Sequence, residues 1–232
     1  MREALRARHS LDRILIAKGA GGARLQEIID LARQQGVAVR FEPREALNRM
    51  ANDAPHQGVV AVGAAKSYQD LDEIPAGATL VVVLDGVEDP HNLGAIIRTA
   101  HAAGASAIVI PERRAAGLTE TVAKASAGAI EYLPVVRVAN VRQALEKLKK
   151  QGFWIYGLDE RGDVPYDRAS YATPAAFVLG GEGKGLHEHV KKDCDFLVRI
   201  PMAGEVSSLN VSVAAGVILF HFRGAAQAGR AT

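Results

Sequence analysis

Three stretches of the chain set chemically able side chains beside residues that turn the backbone or leave it bare. The first runs Asp85-Gly86-Val87-Glu88-Asp89-Pro90-His91-Asn92-Leu93-Gly94-Ala95-Ile96-Ile97-Arg98-Thr99-Ala100. An apolar strand leads through the Pro90 turn into a helix expected to start near Asn92, a residue type that caps well. Arg98 falls among Ile96, Ile97 and Ala100, where a guanidinium calls for a partner or a phosphate. The second stretch, Leu179-Gly180-Gly181-Glu182-Gly183-Lys184-Gly185-Leu186, holds four glycines in six positions around the carboxylate of Glu182. Such a loop lets a backbone approach a ligand closely, though a tight ligand-free connection would use the same residues. It is not a P-loop, because Leu186 follows Gly185 where Lys and then Ser or Thr are required, and its glycine spacing is not the dinucleotide fingerprint. The third stretch, Ile200 to Ala214, leaves a strand at Pro201 and passes through Gly204 into a helix with Val211, Val213, Val217, Ile218 and Phe220 as its apolar body. A helix start after a strand offers bare N–H groups to a polar ligand. Ser207 or Ser208 can cap it. Ser208 and Asn210 could face a ligand or serve as caps, and residue type alone favours capping.

Other chemistries fall away. His187 and His189 stand two apart and share no helix face, and no Cys or carboxylate cluster completes a metal site. No Gly-x-Ser-x-Gly elbow surrounds Ser207 or Ser208, which argues against a serine hydrolase. The one cysteine, Cys194, cannot form an intramolecular disulfide and lies between Asp193 and Asp195, which disfavour its thiolate. With 28 basic against 26 acidic residues the net charge is only +2, so any nucleic-acid contact must come from a local patch. Arg2, Arg6, Arg8, Arg13, Lys18 and Arg24 make such an excess, readable as a phosphate-binding surface or as solvated helix faces. No apolar run approaches the roughly 18 residues that span a bilayer, and no signal peptide opens the chain. A soluble, cytoplasmic protein is the expectation.

The elements that must position these residues follow from periodicity. Residues 1–63 read as a compact α/β unit: a helix over Met1 to Arg8, strands over Asp12–Ala17, Val37–Phe41 and Pro55–Val62, and helices over Arg24–Gln35 and Arg44–Met50. Residues 64–78 lose the apolar period, end in Pro75 and Gly77, and read as a linker. From 79 to 232 apolar strands without alternation, at Leu80–Leu84, Ala107–Ile110, Leu133–Val136, Trp154–Leu158, Ala176–Leu179 and Phe196–Ile200, predict a parallel sheet with helices on both sides, Val141–Gln151 among them.

Taken together, the three stretches resemble the three motifs of the SpoU (TrmH-like) branch of the SPOUT RNA 2′-O-methyltransferases: Asn92 to Arg98, Leu179 to Gly183, and Ile200-Pro201-Met202 through Ser208-Leu209-Asn210. They run in this order from residue 92 to residue 210, and the nearest likeness is to 23S rRNA guanosine 2′-O-methyltransferases of the RlmB type. The resemblance implies an α/β fold: a small L30e-like RNA-binding domain over 1–63, and a SPOUT α/β-knot catalytic domain over 79–232 with a trefoil knot and a mostly parallel sheet. The family pattern opens with a Gly-x-His-type strand ahead of the Arg2–Arg8 helix, which this sequence does not show. It implies S-adenosyl-L-methionine as cofactor, held by Leu179, Gly180, Gly181, Ile200, Met202 and Leu209, with no metal. It implies Asn92, Arg98, Glu182, Ser208 and Asn210 as the residues of chemistry, a homodimer through the knotted domain, and no membrane. The implied reaction is methylation of a ribose 2′-OH, with a guanosine of 23S rRNA as target. The alternatives are a tRNA ribose, a resistance-type rRNA methyltransferase, or a non-catalytic RNA-binding or ribosome-assembly factor.

Overall fold

A computed structural model of the chain describes all residues except 53, 54, 65, 184 and 229–232, and no side chains for 226–228. It divides into two compact units, Met1–Ser67 and Tyr68–Thr232.

The first unit runs α1 (Arg2–Arg6), β1 (Leu11–Ala17), α2 (Ala23–Gln34), β2 (Ala38–Glu42), α3 (Arg44–Met50) and β3 (Val59–Gly63). Its sheet has the order β2-β1-β3, parallel on one side of β1 and antiparallel on the other. Central β1 is sandwiched: Ile14 and Ile16 pack with Leu5, Leu25, Ile29 and Ala32, while Leu15 and Ala17 pack with Leu47 on the opposite face. Part of the basic excess is spent internally. Arg2 and Arg6 both pair with Glu27 of α2 and with Glu3. Arg13, Lys18 and Arg24 form no ion pair among the described residues, so only they remain of that set as candidates for a phosphate backbone, with Arg8 at a left-handed φ of 56°.

The second unit runs β4 (Leu80–Asp85), α4 (Pro90–Ala103), β5 (Ala107–Pro111), α5 (Glu120–Ala125), β6 (Val135–Val138), α6 (Val141–Lys150), β7 (Trp154–Leu158), β8 (Val164–Pro165), β9 (Ala175–Gly180), α7 (Glu188–Lys191), β10 (Phe196–Arg199) and α8 (Val211–Ala228). Every strand pairing in its seven-stranded sheet, of order β6-β5-β4-β9-β7-β10-β8, is parallel. All six residues of β4 are buried, as a parallel strand covered on both faces must be. Leu80, Val82 and Leu84 join Leu93, Ile96 and Ile97 of α4 and Ile218 and Leu219 of α8 in one core. Val81 and Val83 join Leu145 and Leu148 of α6 and Val190 of α7 in the other. The late strand β9 lies between β4 and β7, so the loops leaving β4, β9, β7 and β10 emerge together at one edge of the sheet. That is where open parallel sheets bind ligands.

The stretch 64–78 is not a linker throughout. Tyr68 to Ala78 belongs to the second unit. The Tyr68 hydroxyl accepts a hydrogen bond from Leu118 N at 3.0 Å, the Arg137 guanidinium lies 4.2 Å from its ring centre, and Gln69 bridges to Val136 at the sheet edge. These single contacts leave no periodic trace in a sequence, which explains the misreading. None of the described helices is long and apolar enough to cross a membrane.

Candidate active site

The helix of the first stretch starts two residues earlier than expected. Asp89 is its N-cap, accepting from His91 N at 2.8 Å, and Pro90 takes the first helical position, where its missing donor costs nothing. Asn92 is therefore not a cap. It stands inside the first turn, only 6 % exposed, with its amide free for tertiary contacts. Arg98 is exposed rather than set among apolar side chains, because α4 turns His91, Arg98 and His101 to solvent while Leu93, Ile96, Ile97 and Ala100 face the core. Among the described residues its guanidinium has no hydrogen bond or ion pair.

At the third stretch the capping question has a double answer. Neither Ser207 nor Ser208 caps α8. Both are exposed in an irregular segment before it and form no hydrogen bond among the described residues. Asn210 caps: its Oδ1 accepts from Ser212 N at 2.9 Å and from Ser212 Oγ at 2.6 Å. This fixes the amide so that Nδ2 points away from the helix, where it donates to Asn92 Oδ1 at 2.9 Å and to Glu182 Oε1 at 3.0 Å. Asn92 Nδ2 donates in turn to the same Glu182 oxygen at 2.6 Å and to Asp89 Oδ2 at 3.3 Å. The three stretches, up to 118 residues apart, thus close into one triangle of side chains, Asn92–Glu182–Asn210.

The glycines act differently from the expectation that they admit a ligand. A Cβ on Gly180 would lie 2.0 Å from Gly185 C, and one on Gly181 would lie 2.0 Å from Gly86 O. Both are glycine so that the chain can pack on itself. Gly183 and Gly185, at φ of 78° and 61°, make the turn. The remaining residue of the loop expectation, Lys184, lies outside the described residues. Gly204 has neither a left-handed φ nor a neighbour that a Cβ would meet, so nothing in its surroundings requires glycine.

Beside the triangle opens a cleft of about 660 Å³. Leu179, Gly180, Gly181, Ile200, Met202 and Leu209 all line it, as do Glu182, Ser208 and Asn210. Asn92 and Arg98 do not. One end is charged, with Asp159, Glu160, Arg161, Glu188 and Lys191, none of which the motifs pointed to. Lys191 is held protonated above its usual range by Asp159 first and Glu188 second. A readable signal existed for Asp159 and for Asp85: each follows an apolar run that ends a parallel strand, the edge where such sheets place their chemistry. Among the described residues no group of His, Cys, Asp and Glu is arranged to hold a metal ion. His187 Nδ1 instead makes a hydrogen bond with Asp85 Oδ2 at 2.9 Å. Burial pushes the Cys194 thiol up to about 12.

Residues 79–220 match the SpoU rRNA Methylase family, and residues 1–69 match the family described as RNA 2′-O ribose methyltransferase substrate binding. Over 224 residues the chain is 45% identical to YacO of Bacillus subtilis (strain 168), assigned by name to the TrmH family of tRNA/rRNA methyltransferases, covering 94% of this chain and 90% of that one. The SpoU methyltransferase AviRb of Streptomyces viridochromogenes, in complex with AdoMet, superposes with a TM-score of 0.84 at 26% identity, covering 97% of this chain and 87% of that one. The AdoMet-bound rRNA methyltransferase of Sinorhizobium meliloti gives 0.81 at 26% identity over 97% and 85%. The chain belongs to the SpoU (TrmH) family of S-adenosylmethionine-dependent RNA methyltransferases.

Proposed function

We propose that this chain methylates a ribose 2′-OH of RNA, a guanosine of 23S rRNA being the target, and that the Asn92–Glu182–Asn210 triangle and its neighbouring cleft are where it does so. The triangle carries the reading. Two amide side chains donate to one carboxylate oxygen at 2.6 and 3.0 Å, an arrangement that orients all three groups without a metal or a nucleophile.

The cleft suits S-adenosylmethionine. Its volume is in the range of small-molecule sites, and Leu158, Leu179, Ile200 and Leu209 offer apolar flanks for a purine. Among the described residues, no backbone N–H or C=O of Met202 to Leu209 is hydrogen-bonded within the chain, leaving a run of donors and acceptors for a ligand. The cofactor supplies an activated methyl group on its sulfonium. This chain's residues do the rest. Arg98, exposed and without a partner among the described residues, holds an RNA phosphate and helps the bound 2′-OH lose its proton, a free guanidinium being a poor base. Ser208, exposed and without a hydrogen bond among the described residues, positions the phosphate or ribose, while Asn92 and Glu182 hold the Asn210 side chain in place at the cleft.

The first unit is read as the RNA-holding domain, supported by its match to the substrate-binding family and by the basic residues Arg13, Lys18 and Arg24. A homodimer through the second unit is supported by the exposed Val213 and Phe220 on one face of α8. The test is transfer of labelled methyl groups to unmodified 23S rRNA and to tRNA in parallel, with the labelled nucleotide mapped. Label on one rRNA guanosine 2′-O is expected. Label on tRNA would keep the chemistry and change the substrate, and no label on either, with cofactor bound, would favour a binding role.

A further inference from the structure

The two strands that flank β9 each lead into a buried aspartate, Asp85 at the end of β4 (5 % exposed) and Asp159 just after β7 (7 %). A buried carboxylate is costly unless it is fully engaged. Asp85 Oδ2 accepts from both His187 N and His187 Nδ1 at 2.9 Å. Asp159 Oδ1 accepts from Arg161 N at 2.9 Å, and its Oδ2 lies 2.8 Å from Lys191 Nζ. Lys191 also meets Glu188 at 2.9 Å. His187 is the residue before α7 and Lys191 is its last, so a helix of four residues is tied at both ends, to opposite sides of β9. On its own a helix that short would not persist.

What precedes α7 is the glycine loop that carries Glu182. Among the described residues its backbone is held by Gly181 N to Asp85 O at 2.9 Å and Gly185 N to Gly181 O at 3.1 Å, and its Glu182 carboxylate is held by Asn92 and Asn210. With left-handed Gly183 and Gly185 the loop has conformational freedom that must be removed from outside. Asp85 contributes to both ends of this restraint, through its backbone to Gly181 and through its carboxylate to His187.

We propose that the Asp85–His187 and Asp159–Lys191 pairs form a two-point clamp that holds the glycine loop in the shape needed for S-adenosylmethionine, which makes these four positioning residues of the methyl-transfer site. The clamp rests on the reading of the cleft as the cofactor site. Its effect on the loop does not, and this separates the two in an experiment. Full-length wild type, Asp159→Asn, Lys191→Gln and Lys191→Arg are compared by amide hydrogen exchange over peptides spanning the glycine loop and by calorimetric binding of S-adenosylhomocysteine. Exchange in the loop is expected to rise about tenfold in Asp159→Asn and in Lys191→Gln, and S-adenosylhomocysteine to bind about tenfold more weakly. Lys191→Arg, which keeps the cation, is expected to stay within about twofold of wild type. Weaker binding with unchanged exchange would mean that Asp159 and Lys191 touch the ligand themselves, and the clamp would be lost. Faster exchange with unchanged binding would equally overturn it as a positioning device. If Asp159→Asn fails to fold by circular dichroism, Lys191→Gln, at a side chain open to solvent on one side, decides. A wild-type chain that binds no S-adenosylhomocysteine would remove the cofactor reading alone, with loop exchange still testing the clamp.

Discussion

Asn210 serves two masters, since its Oδ1 caps α8 while its Nδ2 completes the triangle with Asn92 and Glu182. The two uses separate by substitution. Asn210→Asp keeps the cap and replaces the donor by an acceptor facing the Glu182 carboxylate, so transfer should fall while α8 stays capped. Asn210→Ala loses both, at about 1 kcal/mol for the cap alone, a fall of about 2–4 °C in melting temperature for a chain of this size. Steady-state methylation beside a thermal melt would show whether the two variants differ as expected. Arg98 is the opposite case, exposed and bonded to nothing described, so its removal should leave the fold alone. Arg98→Ala is expected to lower transfer by at least about a hundredfold with an unchanged melt, and a rate near wild type would sink its assigned role. At the cysteine, a thiol pushed up to about 12 is neutral at pH 8. Iodoacetamide should modify native Cys194 far more slowly than the unfolded chain, the gap narrowing as pH rises toward 12.

At the scale of elements, the glycine loop and the strands around it explain what could be read in advance. Uninterrupted apolar runs such as Leu80 to Leu84 announce buried parallel strands, and the cluster Gly180 to Gly185 announces a tight turn, because burial and backbone strain are local demands on residue type. The insertion of β9 between β4 and β7 is not a local demand. Nor is the choice of Asp89 over Asn92, or Asn210 over Ser208, as cap, since all four residues are of types that cap well and tertiary contacts choose among them. Short elements such as α7 and β8 are held by partners distant in sequence and have no period to detect. The reason for each glycine was hidden too, and a substitution series exposes it. Gly181→Ala drives a Cβ to 2.0 Å from Gly86 O and should destabilise by about 1–3 kcal/mol or misplace Glu182. Gly183→Ala meets no atom but strains a φ of 78°, at about 1–2 kcal/mol. Gly204→Ala should be neutral within about 0.5 kcal/mol. Denaturant melts of the three would rank them, and equal losses at 181 and 204 would contradict this account of the packing.

For the whole molecule, the face of α8 that does not enter the core sets the expectation. Val213 and Phe220 lie seven residues apart, 51% and 50% exposed, with half-buried Val217 between them and Gly224 beyond, all within one narrow stripe. Before the helix, Val206 is 71% exposed and Leu209 39%. Contiguous apolar surface of this kind is what a two-fold contact between identical chains buries, and a stripe on one straight helix can pack against its own copy. The same segment borders the cleft through Leu209, so a dimer formed here would cover an edge of the proposed site as well as the stripe. Replacing Val213 and Phe220 together by Glu puts charges into such a contact without touching the buried side of α8. Sedimentation of the wild-type chain is expected to give a dimer, and of the double variant a monomer with an unchanged circular dichroism spectrum. Methyl transfer should fall with it. A wild-type chain that sediments as a monomer at working concentration, or a monomeric variant with full activity, would remove the dimer from the mechanism and leave the stripe without a role in catalysis.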